Sequence, residues 1–246
     1  MIKKEDHYCF TLPSNPNLKI WRYMDFTKYV SLLESKSLFF SRSDLLGDPY
    51  EGATSHANQK LRSHFSRNAP IPDNILNDMS DFAEWLRQWI FINCWHLNEF
   101  ESHAMWKLYT KSNESIVIQS TVGLLKSLLP EEINIGSVKY IDYKTDWLPE
   151  ENIFLPFVHK RNSFQHENEI RAIIQNIDYI GEKIQNKEVN YELGKMVKVN
   201  LSDLIQNVYL SPESQEWFTN LVKQVTERYN YNFNIYPSKL LVKPIF

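Results

Sequence analysis

The densest set of chemically competent residues is Phe164-Gln165-His166-Glu167-Asn168-Glu169-Ile170-Arg171. It places two carboxylates at i and i+2 where an apolar run begins. Residues two apart on an extended strand share a face, so Glu167, Glu169 and Arg171 are predicted together, with Ile170, Ala172 and Ile174 opposite them toward the core. Carboxylates at a strand mouth can act as general bases or hold a sugar hydroxyl. The same spacing also describes a solvated Glu–Arg edge.

Three further segments carry chemistry. Trp21-Arg22-Tyr23 sets an arginine between aromatics in a short strand, and a guanidinium offers a planar fork of donors to a phosphate or ribose. An arginine paired with a nearby acid fits equally well. Ser41-Arg42-Ser43-Asp44 runs through Gly47 into Asp48-Pro49-Tyr50-Glu51, a tight turn that either lines a cleft or is held by its own side-chain hydrogen bonds. Cys94-Trp95-His96 and Met105-Trp106-Lys107-Leu108-Tyr109 supply rings that could stack on a nicotinamide or a base, although such spacing also suits a core.

Several classes of chemistry lack their residues. The six glycines are too dispersed for a phosphate loop or a dinucleotide fingerprint. Seven histidines show no HExxH and no Cys-x-x-Cys companion, so no metal is expected. No Gly-x-Ser-x-Gly elbow occurs. The formal net charge of −3 argues against nucleic-acid binding driven by net charge alone. Two cysteines cannot build a disulfide framework and suit a reducing compartment. The opening Met-Ile-Lys-Lys-Glu-Asp-His has no apolar run behind its lysines, and the longest apolar stretch, Trp89 to Trp95, is far short of a membrane span. A cytoplasmic protein without a membrane partner is expected.

The elements that must position these residues follow from periodicity. Strands are predicted at Ile20–Tyr23, Leu38–Ser41, Phe91–His96, Ile116–Gln119, Val138–Tyr143, Ile170–Gln175, Met196–Leu201 and Val208–Leu210, with Phe233–Tyr236 closing the sheet. Asp25 reads as an N-cap ahead of a helix with Phe26, Tyr29, Val30 and Leu33 on one face. Further helices are predicted near Asn74–Gln88 (Ile75, Met79, Phe82 and Leu86 inward), Ser102–Lys111, Val122–Leu129 and around Trp217, Leu221 and Val225. Residues 53–72 are polar, carry Pro70 and Pro72, and read as a peripheral insertion. The whole, residues 1–246, reads as one α+β domain with a mixed, mostly antiparallel sheet and surrounding helices.

Four of these motifs occur in the same order in the bacterial family called domain of unknown function 2971, which this chain resembles along nearly its whole length. They are Trp21-Arg22-Tyr23, Asp48-Pro49-Tyr50-Glu51, Met105-Trp106-Lys107-Leu108-Tyr109 and Glu167-Asn168-Glu169-Ile170-Arg171, and the closing stretch Val197 to Leu240 is also similar. One departure is Cys94-Trp95-His96, where that family often has a small serine-containing strand. More distantly, the arrangement is similar to the ADP-ribosyltransferase pattern and implies its split sheet, with NAD as substrate and no metal. The resemblance implies that Arg22, with Tyr23, holds a ribose or phosphate of NAD and that Trp106 or Tyr109 packs on the nicotinamide, Ser41 or Tyr109 filling the middle role. It makes Glu169 the group that stabilises an oxocarbenium-like transition state, with Arg22 and Tyr109 as its catalytic companions. Glu167, Arg171, Asp48 and Glu51 are left to the substrate side, Glu167 orienting the acceptor.

Three functions compete. The first is an NAD-consuming transferase of the glycosyltransferase class, a toxin or phage-defence effector acting on protein or nucleic acid, with a cognate inhibitor protein as a further partner. The second is a non-catalytic module that binds a nucleotide or peptide. The third is a metal-dependent nuclease using Asp48, Glu51, Glu167 and Glu169, against which stands Arg171 in place of the usual lysine near the last acid.

Overall fold

Runs rich in β-branched and aromatic residues, with few glycines, dictate strands of three to eight residues here. The computed structural model describes residues 8–65, 73–175, 188–242 and 244–245. Its strands are β1 (Lys19–Asp25), β2 (Ser37–Arg42), β3 (Ile90–Leu97), β4 (Ser115–Thr121), β5 (Asn134–Ser137), β6 (Lys139–Ile141), β7 (His159–Arg161), β8 (Glu169–Gln175), β9 (Gly194–Lys198), β10 (Asn207–Leu210) and β11 (Asn234–Pro237). The helices are α1 (Phe26–Ser35), α2 (His56–Phe65), α3 (Asp73–Leu86), α4 (His103–Tyr109), α5 (Val122–Leu128), α6 (Leu201–Leu204) and α7 (Glu216–Arg228). The class is α+β with mostly antiparallel pairing, as the sequence predicts; β6/β7 and β10/β11 are parallel.

The chain divides into two compact units, each assembled from three segments. One holds Met1–Leu12, Phe40–Asn93 and Glu131–Lys195; the other holds Pro13–Phe39, Cys94–Pro130 and Met196–Phe246. In the second unit β4 is buried along all seven residues and pairs with β1 on one side and β10 on the other. The end of β3 extends this pairing through Ile20 opposite Leu97 and Trp21 opposite His96. Trp21, Trp106 and Val117 form a buried hydrophobic cluster in it, with Tyr23 and Tyr209 packed against them.

In the first unit β5 pairs with β8, placing Gly136 opposite Arg171. Glycine at 136 lets the two backbones come close: an added Cβ would lie 3.0 Å from the Cα of Phe10, which would have to give by a few tenths of an ångström. Phe10 in turn meets Phe154 edge-on at 5.2 Å. The described part of the predicted insertion, residues 53–65, is tied into this unit by the buried polar side chains of Ser55 and Asn58. Asn58 donates to the Leu148 carbonyl at 2.6 Å and accepts from the Leu148 N–H at 2.8 Å, while Ser55 Oγ donates to Asn58 Oδ1 at 2.6 Å. Residues 66–72, with both prolines, lie outside the described residues.

Several local expectations are corrected. Asp25 stands at the N-cap of α1 but makes no capping bond; its carboxylate instead accepts from the Lys111 N–H at 3.0 Å. On α7 the buried face is Phe218, Val222 and Thr226, one residue beyond the predicted stripe, and Trp217 is exposed. Met79 on α3 is exposed rather than inward, and Ile75 lies where no side chain is described. The predicted strand Val138–Tyr143 shortens to β6, β5 before it is not among the predicted strands, and Leu201 opens α6 rather than ending β9.

Replacing Asn58 with Ala leaves both backbone groups of Leu148 without partners in the interior. The expected cost is about 2–3 kcal/mol, read by denaturant unfolding. A loss below about 0.5 kcal/mol would show that the segment is not anchored there.

Candidate functional site

The turn Asp48–Gly52 is the first part of the site. Asp48 Oδ1 accepts from the Tyr50 N–H at 3.0 Å, the self-bonding expected of an Asp-Pro turn. Gly52 closes it at φ +76°, and a Cβ there would lie 2.5 Å from the Phe157 ring. This turn aims Glu51 inward. The second part is the turn of 3-10 helix Asn162–Glu167, which ends at Asn168 in the left-handed region (φ 38°) before β8 begins at Glu169. Asparagine tolerates that conformation better than most residues.

These turns and β8 bring together Glu51, Glu167, Glu169 and Arg171, all buried. Arg171 Nη1 and Nη2 form a two-pronged pair with Glu51 at 2.5 and 2.9 Å. Its Nε donates to Glu169 Oε2 at 2.8 Å, its Nη2 reaches Glu169 Oε1 at 3.4 Å, and its Nη1 also donates to the Phe157 carbonyl at 2.8 Å. Lys160 on β7 completes the cluster. Its ammonium donates to Glu169 Oε1 at 2.8 Å and to Glu167 Oε2. Three carboxylates therefore face two cations, so the cluster carries one net negative charge or one proton.

Burial alone would push Glu169 upward, but Arg171, a hydrogen bond with Glu167 and Lys160 hold its carboxyl well below the usual range. Burial raises Glu51 in spite of Arg171. Burial would lower Lys160, but Glu169 and the bonds to both carboxylates raise it above the usual lysine value. Beside the cluster, Arg161 donates to Asp48 at 2.7 Å and lies over the Tyr50 ring at 4.4 Å.

The sequence placed Glu167 and Glu169 together by strand spacing, as a working carboxylate pair or as a solvated edge. The solvated edge does not describe the geometry. Glu167 belongs to the turn rather than the strand, and β8 is buried on both faces, its charged face covered by its own counterions. Lys160, Arg161 and Tyr140, whose hydroxyl accepts from the Glu169 N–H at 2.9 Å, were missed. The signal was the basic pair Lys160-Arg161 a short turn before the two glutamates. The lysine that a nuclease reading lacked in sequence is present in space, yet Asp48, Glu51, Glu167 and Glu169 are each paired with a cation. Among the described residues no group of three or more His, Cys, Asp or Glu side chains is arranged to hold a metal ion.

Ser41 lies at the end of β2 in the first unit, half-buried, with its hydroxyl on the Arg42 carbonyl at 3.3 Å. The remaining candidates lie in the second unit. The half-buried Arg22 donates to the carbonyls of Cys94 at 3.1 Å and Phe39 at 3.3 Å, and burial lowers its pKa to about 10. Tyr23 packs edge-on against Trp106 at 5.1 Å and accepts from the Ser102 N–H. Trp106 is buried and donates to Glu101 at 3.1 Å, whereas Tyr109 is exposed at the end of α4. A hollow of about 150 Å³ opens beside Trp106, lined also by His103, Lys107, Lys111 and Glu213. That is smaller than the roughly 300 Å³ at which ligand pockets usually begin.

No protein-family model matches the chain, and no curated protein does. The resemblance to domain of unknown function 2971 rests on its four motifs. Among solved structures the chain is similar to DarT of Thermus sp. 2.9 in complex with NAD+, at 8% identity and a TM-score of 0.44, covering 93% of this chain and 98% of that one. It is also similar to the same protein with carba-NAD+, at 9% identity and a TM-score of 0.38 with the same coverage. Among the described residues no helix is long and apolar enough to cross a membrane.

The depressed Glu169 carboxyl makes stability depend on pH with a definite sign. Its contribution is present above the ordinary carboxyl value of 4.5 and is lost as pH falls toward the folded value. Glu169→Gln removes that linkage while leaving Arg171 on Glu51 and Lys160 on Glu167, so it should cost about 1–3 kcal/mol rather than unfold the chain. The rise at Glu51 has the opposite sign, favouring stability at low pH; burial is its main cause and is common to both proteins, while Glu169 adds a smaller part that Glu169→Gln removes. The gap in melting temperature between the two should therefore be widest near about pH 6 and shrink as pH falls below about 4.5. A gap independent of pH would contradict the assignment.

Proposed function

We propose that this chain is an NAD-dependent ADP-ribosyltransferase-like enzyme in which Glu169 meets the nicotinamide ribose. The observation that carries the reading is the state of Glu169: ionised, buried and oriented through both oxygens by Lys160 and Arg171. Burying five charged side chains contributes little net stability compared with apolar packing of the same volume, which points to use rather than support. The more distant similarity of the arrangement to the ADP-ribosyltransferase pattern, with its late strand opening on glutamate, supports the same reading.

The chemistry asked of Glu169 is electrostatic. The bond between ribose C1′ and the nicotinamide nitrogen breaks, and its electron pair neutralises the pyridinium. Positive charge grows on the ribose as an oxocarbenium-like centre, which a fixed carboxylate stabilises more than it stabilises the ground state. An acceptor nucleophile then attacks C1′ and releases a proton. A protein or nucleic-acid acceptor fits an effector of the toxin or phage-defence kind, and an enzyme consuming cellular NAD calls for a cognate inhibitor.

A non-catalytic module that binds a nucleotide or peptide is the second reading. What favours it is that both Glu169 oxygens already accept from cations, so a ribose hydroxyl must share or displace one of those bonds.

Nicotinamide release from NAD, followed chromatographically, separates the two. Wild type should turn over NAD, and Glu169→Gln should lose about a hundredfold or more while still melting cooperatively. NAD binding by calorimetry with no release from wild type would favour the binding module. Neither binding nor release would remove the NAD reading.

A further inference from the structure

Lys160 is the cation that touches both carboxylates of the Glu167–Asn168–Glu169 segment. It sits on the three-residue strand β7, and its side chain is 9% exposed. Its ammonium lies 4.5 Å from the centre of the Phe164 ring, on the same turn that carries Glu167. Phe164 thus closes one side of the ammonium while Glu167 and Glu169 take its protons. Glu167 and Glu169 stand two residues apart and share a hydrogen bond, and the left-handed Asn168 between them fixes only the backbone. A cation bonded to both carboxylates is a second tie that holds the pair side by side.

We propose that Lys160 is the positioning residue for this pair, holding Glu169 against Glu167 in the orientation in which Glu169 meets the substrate. This rests on the NAD reading for its substrate, but not for its geometry. Arg171 cannot fill the role alone, because two of its three nitrogens are on Glu51 and one is also on the Phe157 carbonyl. When a ribose hydroxyl takes one bond of Glu169, Lys160 keeps a second fixed point on the same carboxylate. The charged and titratable groups facing Glu169 are Lys160 on β7, Glu167 on the preceding turn, Arg171 on its own strand, Glu51 on the turn after β2 and Tyr140 on β6.

The test compares wild type with Lys160→Met, Lys160→Gln and Lys160→Arg through two readouts. The first is the kcat, KM and pH profile of nicotinamide release. The second is the titration of the Glu169 carboxyl by carbon NMR, assigned with Glu169→Gln. Both neutral variants should lose about a hundredfold in kcat with little change in KM, as expected when a reacting group is slightly misplaced. The acid limb of their profile should move to higher pH, because Glu169 then ionises less readily, and Lys160→Arg should recover part of kcat. An active wild type whose folded neutral variants keep kcat, the acid limb and the Glu169 titration would overturn the proposal. If Lys160→Met does not fold, Lys160→Gln is read by the same criteria. Should neither neutral variant fold, Lys160→Arg decides by its kinetics: a kcat below wild type at unchanged KM upholds the role, and a wild-type kcat overturns it. If wild type releases no nicotinamide, the NAD reading falls and the titration decides on Lys160 alone, a raised Glu169 midpoint upholding it and an unmoved one overturning it.

Discussion

A guanidinium taken out of water must find an acceptor for each of its five N–H groups, because every one left unmade carries its full desolvation cost. Arg171, with its side chain 1% exposed, meets that demand through Glu51, Glu169 and the Phe157 carbonyl. Those acceptors come from the turn after β2, from β8 and from the 3-10 turn before β7. The constraint therefore fixes three otherwise separate segments of the first unit. It also explains why the Asp48–Gly52 turn is tight: Glu51 has to point inward with both oxygens level with the guanidinium, and Gly52 behind it lies against Phe157.

The chemistry available at the site follows from that arrangement. With Arg171 on one oxygen and Lys160 on the other, Glu169 stays ionised where an isolated carboxyl would take up a proton. Such a group is suited to a cationic transition state and poorly suited to proton abstraction, since its affinity for a proton has been lowered. The same pairing disfavours a metal-dependent nuclease, which needs carboxylates free to ligate. Lys160 departs from an ordinary surface lysine in both burial and partners, and that makes the Glu167–Glu169 pair a built feature rather than an accident of two acids close in sequence.

Much of the fold was legible because it rests on local periodicity. The β-branched run at Ile116–Gln119, the alternation at Ile170–Gln175 and the serine before α4 all place elements within a residue or two of where they lie. Glu51, Glu169 and Arg171, which meet in one buried cluster, were singled out in the sequence as well, through a turn signal and a charge pattern. What could not be read was burial. A Glu-x-Glu-x-Arg strand looks the same whether water or counterions cover it, and the covering residues, Lys160 and Glu51, lie 9 and 118 positions away from Glu169. The face of α7 was misjudged for a related reason: Trp217 is the larger ring, yet Phe218 is the residue that meets Phe26 at 5.4 Å.

The dependence of the first unit on the Arg171–Glu51 pair is tested most directly by a double-mutant cycle of Glu51→Gln and Arg171→Met, measured by denaturant unfolding. Arg171→Met alone strands Glu51 as a buried, unpaired carboxylate and should cost about 3–5 kcal/mol. The double variant should be more stable than Arg171→Met alone, with a coupling energy of about 2 kcal/mol or more. Single costs that simply add, with coupling below about 0.5 kcal/mol, would contradict the view that this buried pair organises the unit.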